Sequence, residues 1–196
     1  MSKRTPFIVR AIRNHTPQEI NYASQKTISY SQFSIYNECP RKWELLYKEG
    51  LNEYQPTIHT VFGTAMHTTI QHYLTLMYEE SGAAADRFDI ESMFEEEFGK
   101  TYREEYTKNK KVHFSDPVEM REFYEDGINI LNYFKRNRGS HFSKRGWHLA
   151  GIELPIVMNV GNNLIYKGFI DMVLYHEPTN KFYIYDIKTS ISGWND

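Results

Sequence analysis

The stretch Gly168-Phe169-Ile170-Asp171-Met172-Val173-Leu174-Tyr175, followed by Ile184-Tyr185-Asp186-Ile187-Lys188, decides how this chain is read. Both runs are rich in aromatic and branched apolar residues, and the turn formers Pro178-Thr179-Asn180 lie between them. Runs of this kind separated by turn residues are strands. An alternation of period two begins at Trp147 and continues through Ile152, Leu154, Ile156, Met158 and Val160 to the turn Gly161-Asn162-Asn163. Three strands are therefore expected, over 147–160, 164–175 and 182–188, arranged as a three-strand meander. Carboxylates within such apolar strands are costly unless something there needs them.

The alternation can be turned into geometry. A three-residue turn at Gly161 sets Val160 against Leu164, and an unbroken register then sets Glu153 against Asp171. The apolar pairs Leu154–Ile170 and Ile152–Met172 agree with it. If Tyr175 faces Phe182 across the second turn, Val173 meets Ile184 and Asp171 meets Asp186. Glu153, Asp171 and Asp186 then form a row, with Lys188 two residues further along the same face. Opposed like charges destabilise a sheet, and a divalent cation reverses that sign. Oxygen ligands of this kind suit Mg²⁺ or Mn²⁺. Such a metal, with a lysine beside it, is a sufficient kit for hydrolysing a phosphodiester. A one-residue slip would take Glu153 or Asp186 off the face.

Upstream the period is helical. Residues 1–28 read as an arm, a short strand or loop interrupted by Pro6 and Pro17. Ser31 is the expected N-cap of a helix carrying Phe33, Tyr36, Cys39 and Trp43 and broken at Pro40. A strong helix is expected over 60–80, with Phe62, Met66, Ile70, Tyr73, Leu74 and Met77 on one face. Residues 83–86 read as a loop and 89–108 as a third helix. Asp116-Pro117 with Glu119 reads as a capping box opening a fourth. Residues 136–146 read as a basic loop. The organisation expected is an arm (1–28), a helical part (29–146) and a sheet core (147–196).

Composition bounds the function. The chain has 196 residues, 40% hydrophobic and 24% charged, which suits one soluble globular domain with or without an extension. The net charge of −2 excludes a uniformly basic nucleic-acid coat but not local basic patches. The single cysteine, Cys39, excludes an internal disulfide and makes a reducing compartment the default. No apolar run reaches the ~18 residues a membrane span needs, and the N-terminus lacks a signal core. A cytoplasmic protein that is not secreted is expected.

These residues resemble a known family. Gly168-x-x-Asp171 with Asp186-x-Lys188-Thr189-Ser190 resembles the active-site signature of the PD-(D/E)XK nuclease superfamily, in its RecB-like branch with AddB and CRISPR adaptation nucleases. The segment from Ser29 through Cys39-Pro40-Arg41-Lys42-Trp43 to Tyr47 is similar to the motif that opens those domains. Gly63-Thr64-Ala65-Met66-His67 resembles their Gly-x-x-x-His helix. The resemblance implies an α/β fold with a restriction-endonuclease-like αβββαβ core. It implies His67, Asp171, Asp186 and the Ile187 backbone carbonyl as metal ligands, Glu153 as a further acidic position, and Lys188 as the catalytic lysine. The activity implied is a Mg²⁺- or Mn²⁺-dependent DNA exonuclease or end-processing enzyme in replication, recombination or repair. It would act on single- or double-stranded ends, with a helicase or recombination partner. The chain ends at Asp196, before the helix with a Gln and Tyr motif and the further strand of such domains, so an incomplete core is expected. Some relatives hold an iron–sulfur cluster on four cysteines; Cys39 stands at the first place, but no second cysteine exists to build one.

Each motif has a bland counterpart. Asp-x-Lys tripeptides occur by chance, and a helical histidine on its own is more often a core or capping residue than a ligand. Arg41 and Lys42, with Lys144 and Arg145 of the basic loop, are candidate DNA contacts or simply solvated cations. Two rivals follow: a nucleic-acid-binding module of the same fold that does not cleave, and an interaction protein whose sheet binds a partner.

Overall fold

A computed structural model describes residues 5–51, 54–143 and 145–188. The described residues fall into two compact units. Of the described residues, the first draws on 5–51, 54, 150–174 and 182–186, and the second on 55–143, 145–149, 175–181, 187 and 188. The architecture is mixed α/β, with helices and a mixed sheet of four strands.

In the first unit, α1 (Phe7–Arg13) is followed by strand β1 (Lys26–Ile28) and helix α2 (Tyr30–Glu38). Ser29, rather than the expected Ser31, caps α2, its hydroxyl accepting from the Gln32 N–H at 3.4 Å. Pro40 breaks the helix as its lost N–H requires. A new helix, α3 (Pro40–Trp43), starts with proline in its first turn and runs into a π-helical turn over Glu44–Lys48. The sheet is built from β1 with β2 (Trp147–Asn159), β3 (Leu164–His176) and β4 (Lys181–Tyr185). Strand β3 is its centre: it pairs with β2, β4 and, in parallel, β1. The β1 register sets Lys26 beside Leu164 and Ile28 beside Tyr166. Val9, Ala150, Ile165, Met172, Val173 and Leu174 form the buried apolar set of this unit.

The turn between β2 and β3 follows its chemistry. Gly161, Asn162 and Asn163 all have positive φ (99°, 50° and 60°), which glycine and asparagine tolerate best. Val160 N–H donates to the Leu164 carbonyl at 2.9 Å, the pairing expected of a three-residue turn. Strand β4 ends at Tyr185, so Asp186, Ile187 and Lys188 follow the strand instead of lying within it.

The second unit is led by four helices: α4 (Ile58–Glu79), α5 (Gly82–Arg87), α6 (Ile90–Lys108) and α7 (Pro117–His141). Each start is capped by a side-chain oxygen, from Thr57, Ser81, Asp89 and Asp116. Such caps contribute about 1 kcal/mol apiece. Two readings are corrected here. Residues 83–86 are helical, because Ser81 caps a run of alanines, the best helix formers. Arg136 and Arg138 ride the last turns of α7, which extends to His141; the basic loop is shorter than expected. At the start of α7, Asp116 accepts from the Val118 and Glu119 N–H groups at 2.8 and 2.9 Å. Glu119 does not reach back to close the box; it accepts from Ser115 Oγ at 2.6 Å.

The core of this unit is aromatic. Phe62 meets Phe94 and Phe123 edge to face, with centroids 6.1 and 5.4 Å apart, and Phe94 stacks on Tyr124 at 6.0 Å. Gly127 lets α7 close on α6: a Cβ there would lie 2.3 Å from Phe94 Cζ. A polar clasp joins three helices. Arg138 donates to Tyr73 Oη at 2.6 Å and to both oxygens of Asp86, and Tyr73 donates to Asp86 Oδ1 at 2.9 Å. Burial pushes the Tyr73 hydroxyl up to about 12, while Arg138 holds the Asp86 carboxyl below its ordinary value.

Candidate functional site

Asp171 sits on β3 with its neighbours alternating across the strand. On its own face Ile165 and Val173 are buried, while Lys167, Phe169 and Asp171 between them are not. This face of β3 is therefore closed at both ends and opens at Phe169, with the half-buried Lys167 and Asp171 on either side of it.

The partner carboxylate comes from β2 by a route that an unbroken ladder does not contain. Glu153 has φ +48°, the left-handed region, in the interior of a strand. The hydrogen bonds at the two ends of the pair show why. Val160 N–H donates to the Leu164 carbonyl at 2.9 Å, and Glu177 N–H to the Gly146 carbonyl at 2.9 Å. From Gly146 to Val160 is fourteen residue steps and from Leu164 to Glu177 thirteen, so β2 carries one residue more than its partner. That is a β-bulge, which re-aims a side chain and is over-represented beside active sites. Gly151 makes room for it: a Cβ there would lie 2.4 Å from Leu154 Cγ. The result brings carboxylate oxygens of Glu153 and Asp171 within 4.8 Å of one another. The expected pair thus meets, but through a bulge.

Asp186 and Lys188 are exposed in the segment after β4. In the second unit, His67 lies on α4 one turn after Gly63, and its ring Nε2 is hydrogen-bonded to the Ile187 carbonyl. Two atoms that the family resemblance names as ligands are therefore in contact.

The candidate DNA contacts are engaged with carboxylates. Arg41 Nη1 donates to Glu44 at 2.7 Å and to Glu49 at 2.9 Å, and Lys42 pairs with Glu38 at 3.2 Å. Lys48 and Arg41 together hold the Glu44 carboxyl below its ordinary value. Exposed pairs of this kind are worth little, so a phosphate could displace the carboxylates at small cost. Arg145 is exposed in the turn before β2, and Lys144 lies outside the described residues.

A bulge at Glu153 was not expected from its own residue type. The signal lay beside it: glycine and proline inside a strand, here Gly151 and Pro155, mark bulges and breaks in pairing. The exposure of Phe169 had no sequence signal, since a strand aromatic is more often core.

The donor set fits a hard divalent ion. Two carboxylates within 4.8 Å repel in its absence and supply oxygen ligands in its presence. With that geometry described, a family model of the PD-(D/E)XK nuclease superfamily matches residues 27–193, and the chain belongs to that superfamily. Its members are generally nucleases or phosphodiesterases, and its nucleases generally use divalent metals. No curated protein matches the chain. No solved structure matches it. Among the described residues no helix is long and apolar enough to cross a membrane.

Proposed function

We propose that this chain is a Mg²⁺- or Mn²⁺-dependent deoxyribonuclease of RecB-like type, an exonuclease or end-processing enzyme acting in replication, recombination or repair. The observation that carries the reading is the Glu153–Asp171 pair, held within 4.8 Å at a bulge. A non-glycine residue in the left-handed region costs about 1–2 kcal/mol. Strain of this kind gathers at functional sites, and here it serves to bring two like charges together.

In this reading Glu153 and Asp171 hold the ion. The family resemblance adds Asp186, His67 and the Ile187 carbonyl as further ligands. A divalent ion held there would supply Lewis acidity towards a phosphodiester oxygen and would lower the pKa of a water molecule. The Lys188 ammonium then orients the nucleophile or stabilises charge gathering on phosphorus. Arg41, Lys42, Lys144 and Arg145 are proposed to steer the DNA backbone.

One observation favours a second reading, a module that binds nucleic acid without cutting it: Asp186 and Lys188 follow β4 instead of lying in it, off the ladder expected to align them with Glu153 and Asp171. Incubation of end-labelled single- and double-stranded DNA with Mn²⁺, against a chelator control, separates the two. Metal-dependent cleavage is expected, with Asp171→Asn and Lys188→Ala each lowering the rate about a hundredfold or more. Full activity in both variants would end the nuclease assignment, and DNA binding without cleavage would establish the second reading.

A further inference from the structure

We infer that Phe169 is a base-stacking residue that seats an unpaired nucleobase beside the acidic pair, with Lys167 taking the adjoining phosphate. The inference rests on the nuclease reading of the same site and goes beyond it in naming an unpaired strand as the substrate.

Phe169 is 67% exposed, matched among the described strand residues by Ile184 at 68%. Burying a phenylalanine side chain is worth about 1.5–3 kcal/mol, so a ring left in water on a central strand has no folding reason to be there. Its position is what matters. No residue of β3 has positive φ, so the alternation is regular and Phe169 shares the face of Asp171, two residues away. Two strand residues span about 6.5–7 Å, comparable to the reach from a phosphate to the base of the same or the next nucleotide.

Lys167 is the next residue on that face, and its Nζ lies 5.8 Å from the centroid of the exposed Tyr22 ring. The open window on β3 therefore presents a carboxylate, an aromatic ring and a cation in order. That is the sequence of groups a single strand needs: ion, base platform, phosphate contact. An aromatic platform with a neighbouring cation is the general chemistry of single-strand binding. A base inside an intact duplex offers no free face to Phe169, so the platform selects a single strand or a frayed end.

The test uses the full chain and two fluorescein-labelled probes, a ten-nucleotide thymidine oligomer and the same backbone with abasic spacers throughout. Binding is read by anisotropy in Ca²⁺. Stacking is worth about 1–3 kcal/mol per base, so Phe169→Ala should weaken binding of the thymidine oligomer about 5- to 150-fold. It should leave the abasic probe unchanged, and Phe169→Trp should retain thymidine binding. Lys167→Ala should weaken both probes and reduce the salt slope by about 0.7. Equal loss on both probes in Phe169→Ala, or no loss on either, overturns the proposal. The readout needs no cleavage, so base-dependent binding without cleavage fails the nuclease reading alone. Cleavage and binding indifferent to Phe169 fail this proposal alone.

Discussion

Glu153→Gly should make the protein more stable and less able to hold a metal, and the size of each effect follows from the bulge. Glutamate at φ +48° pays the left-handed penalty of about 1–2 kcal/mol, which glycine does not. Glycine's extra freedom in the unfolded chain returns about 0.5–1 kcal/mol of that gain. Removing one carboxylate also relieves repulsion from Asp171, on the order of 1 kcal/mol for unit charges about this far apart in water, less once salt screens an exposed group. The net expectation is a stabilisation of about 1 kcal/mol in chelator, or about 2–4 °C in melting temperature for a chain of this size. With Mn²⁺ the order reverses. An ion at a hundred times its Kd stabilises the wild type by about 2.7 kcal/mol, and Glu153→Gly forfeits most of it. Calorimetric melts in chelator and across a Mn²⁺ series should therefore cross. Glu153→Gln, which keeps the strained backbone but loses the charge, should show only the part of that gain that comes from relieved repulsion. A Glu153→Gly protein that melts below wild type in chelator would refute the strain argument. One that responds fully to Mn²⁺ would remove Glu153 from the ligand set.

Two further outcomes concern the helical unit. Gly127→Ala places a methyl group 2.3 Å from Phe94 Cζ, on a ring with no exposure that is packed among Phe62, Phe98 and Tyr124. Overpacking of about 1–3 kcal/mol outweighs a helix gain of about 1, so thermal melts should fall by several degrees, with partial recovery on adding Phe94→Leu. The clasp should set two pH limits in urea titrations. Tyr73, pushed up to about 12 by burial, contributes stability that is complete below its ordinary value near 10 and lost as pH rises from there towards 12. Asp86, held low by Arg138, contributes above its ordinary value near 3.8 and loses that contribution as pH falls through the lowered folded value. Tyr73→Phe should flatten the alkaline limb and Asp86→Asn the acid one.

How far the sequence could be read depended on which interactions were local. The Gly161-Asn162-Asn163 turn, the buried face of α4 and the Asp116 cap rest on residue types whose conformational preferences act within a few positions, and all three were legible. The alanines at 83–85 carry a helix signal, but the glycine beside them, Gly82, equally suits the end of the preceding helix. The end of α7 lies beyond its expected place because basic residues suit the last turn of a helix as well as they suit a loop. The acidic pair was legible in its members but not in its mechanism. A left-handed glutamate has no signature of its own, and only Gly151 and Pro155 hinted that the ladder would slip there. Strand β4 was read three residues too long, since nothing in Asp186-Ile187-Lys188 marks where pairing stops. The window at Phe169 depends on which neighbours leave a face uncovered, a matter of tertiary packing that periodicity does not report.

The parallel seating of β1 on β3 also bears on how the protein is made. Ile28 leaves the ribosome about 135 residues ahead of Leu164, which begins the segment it pairs beside. At ~5–20 residues per second that is a wait of roughly 7–27 s. During it, the backbone amides and carbonyls of a nascent strand have no native partner. Three residues with an exposed lysine at one end make a poor template for stray pairing, so the brevity of β1 protects the nascent chain until its place is synthesised.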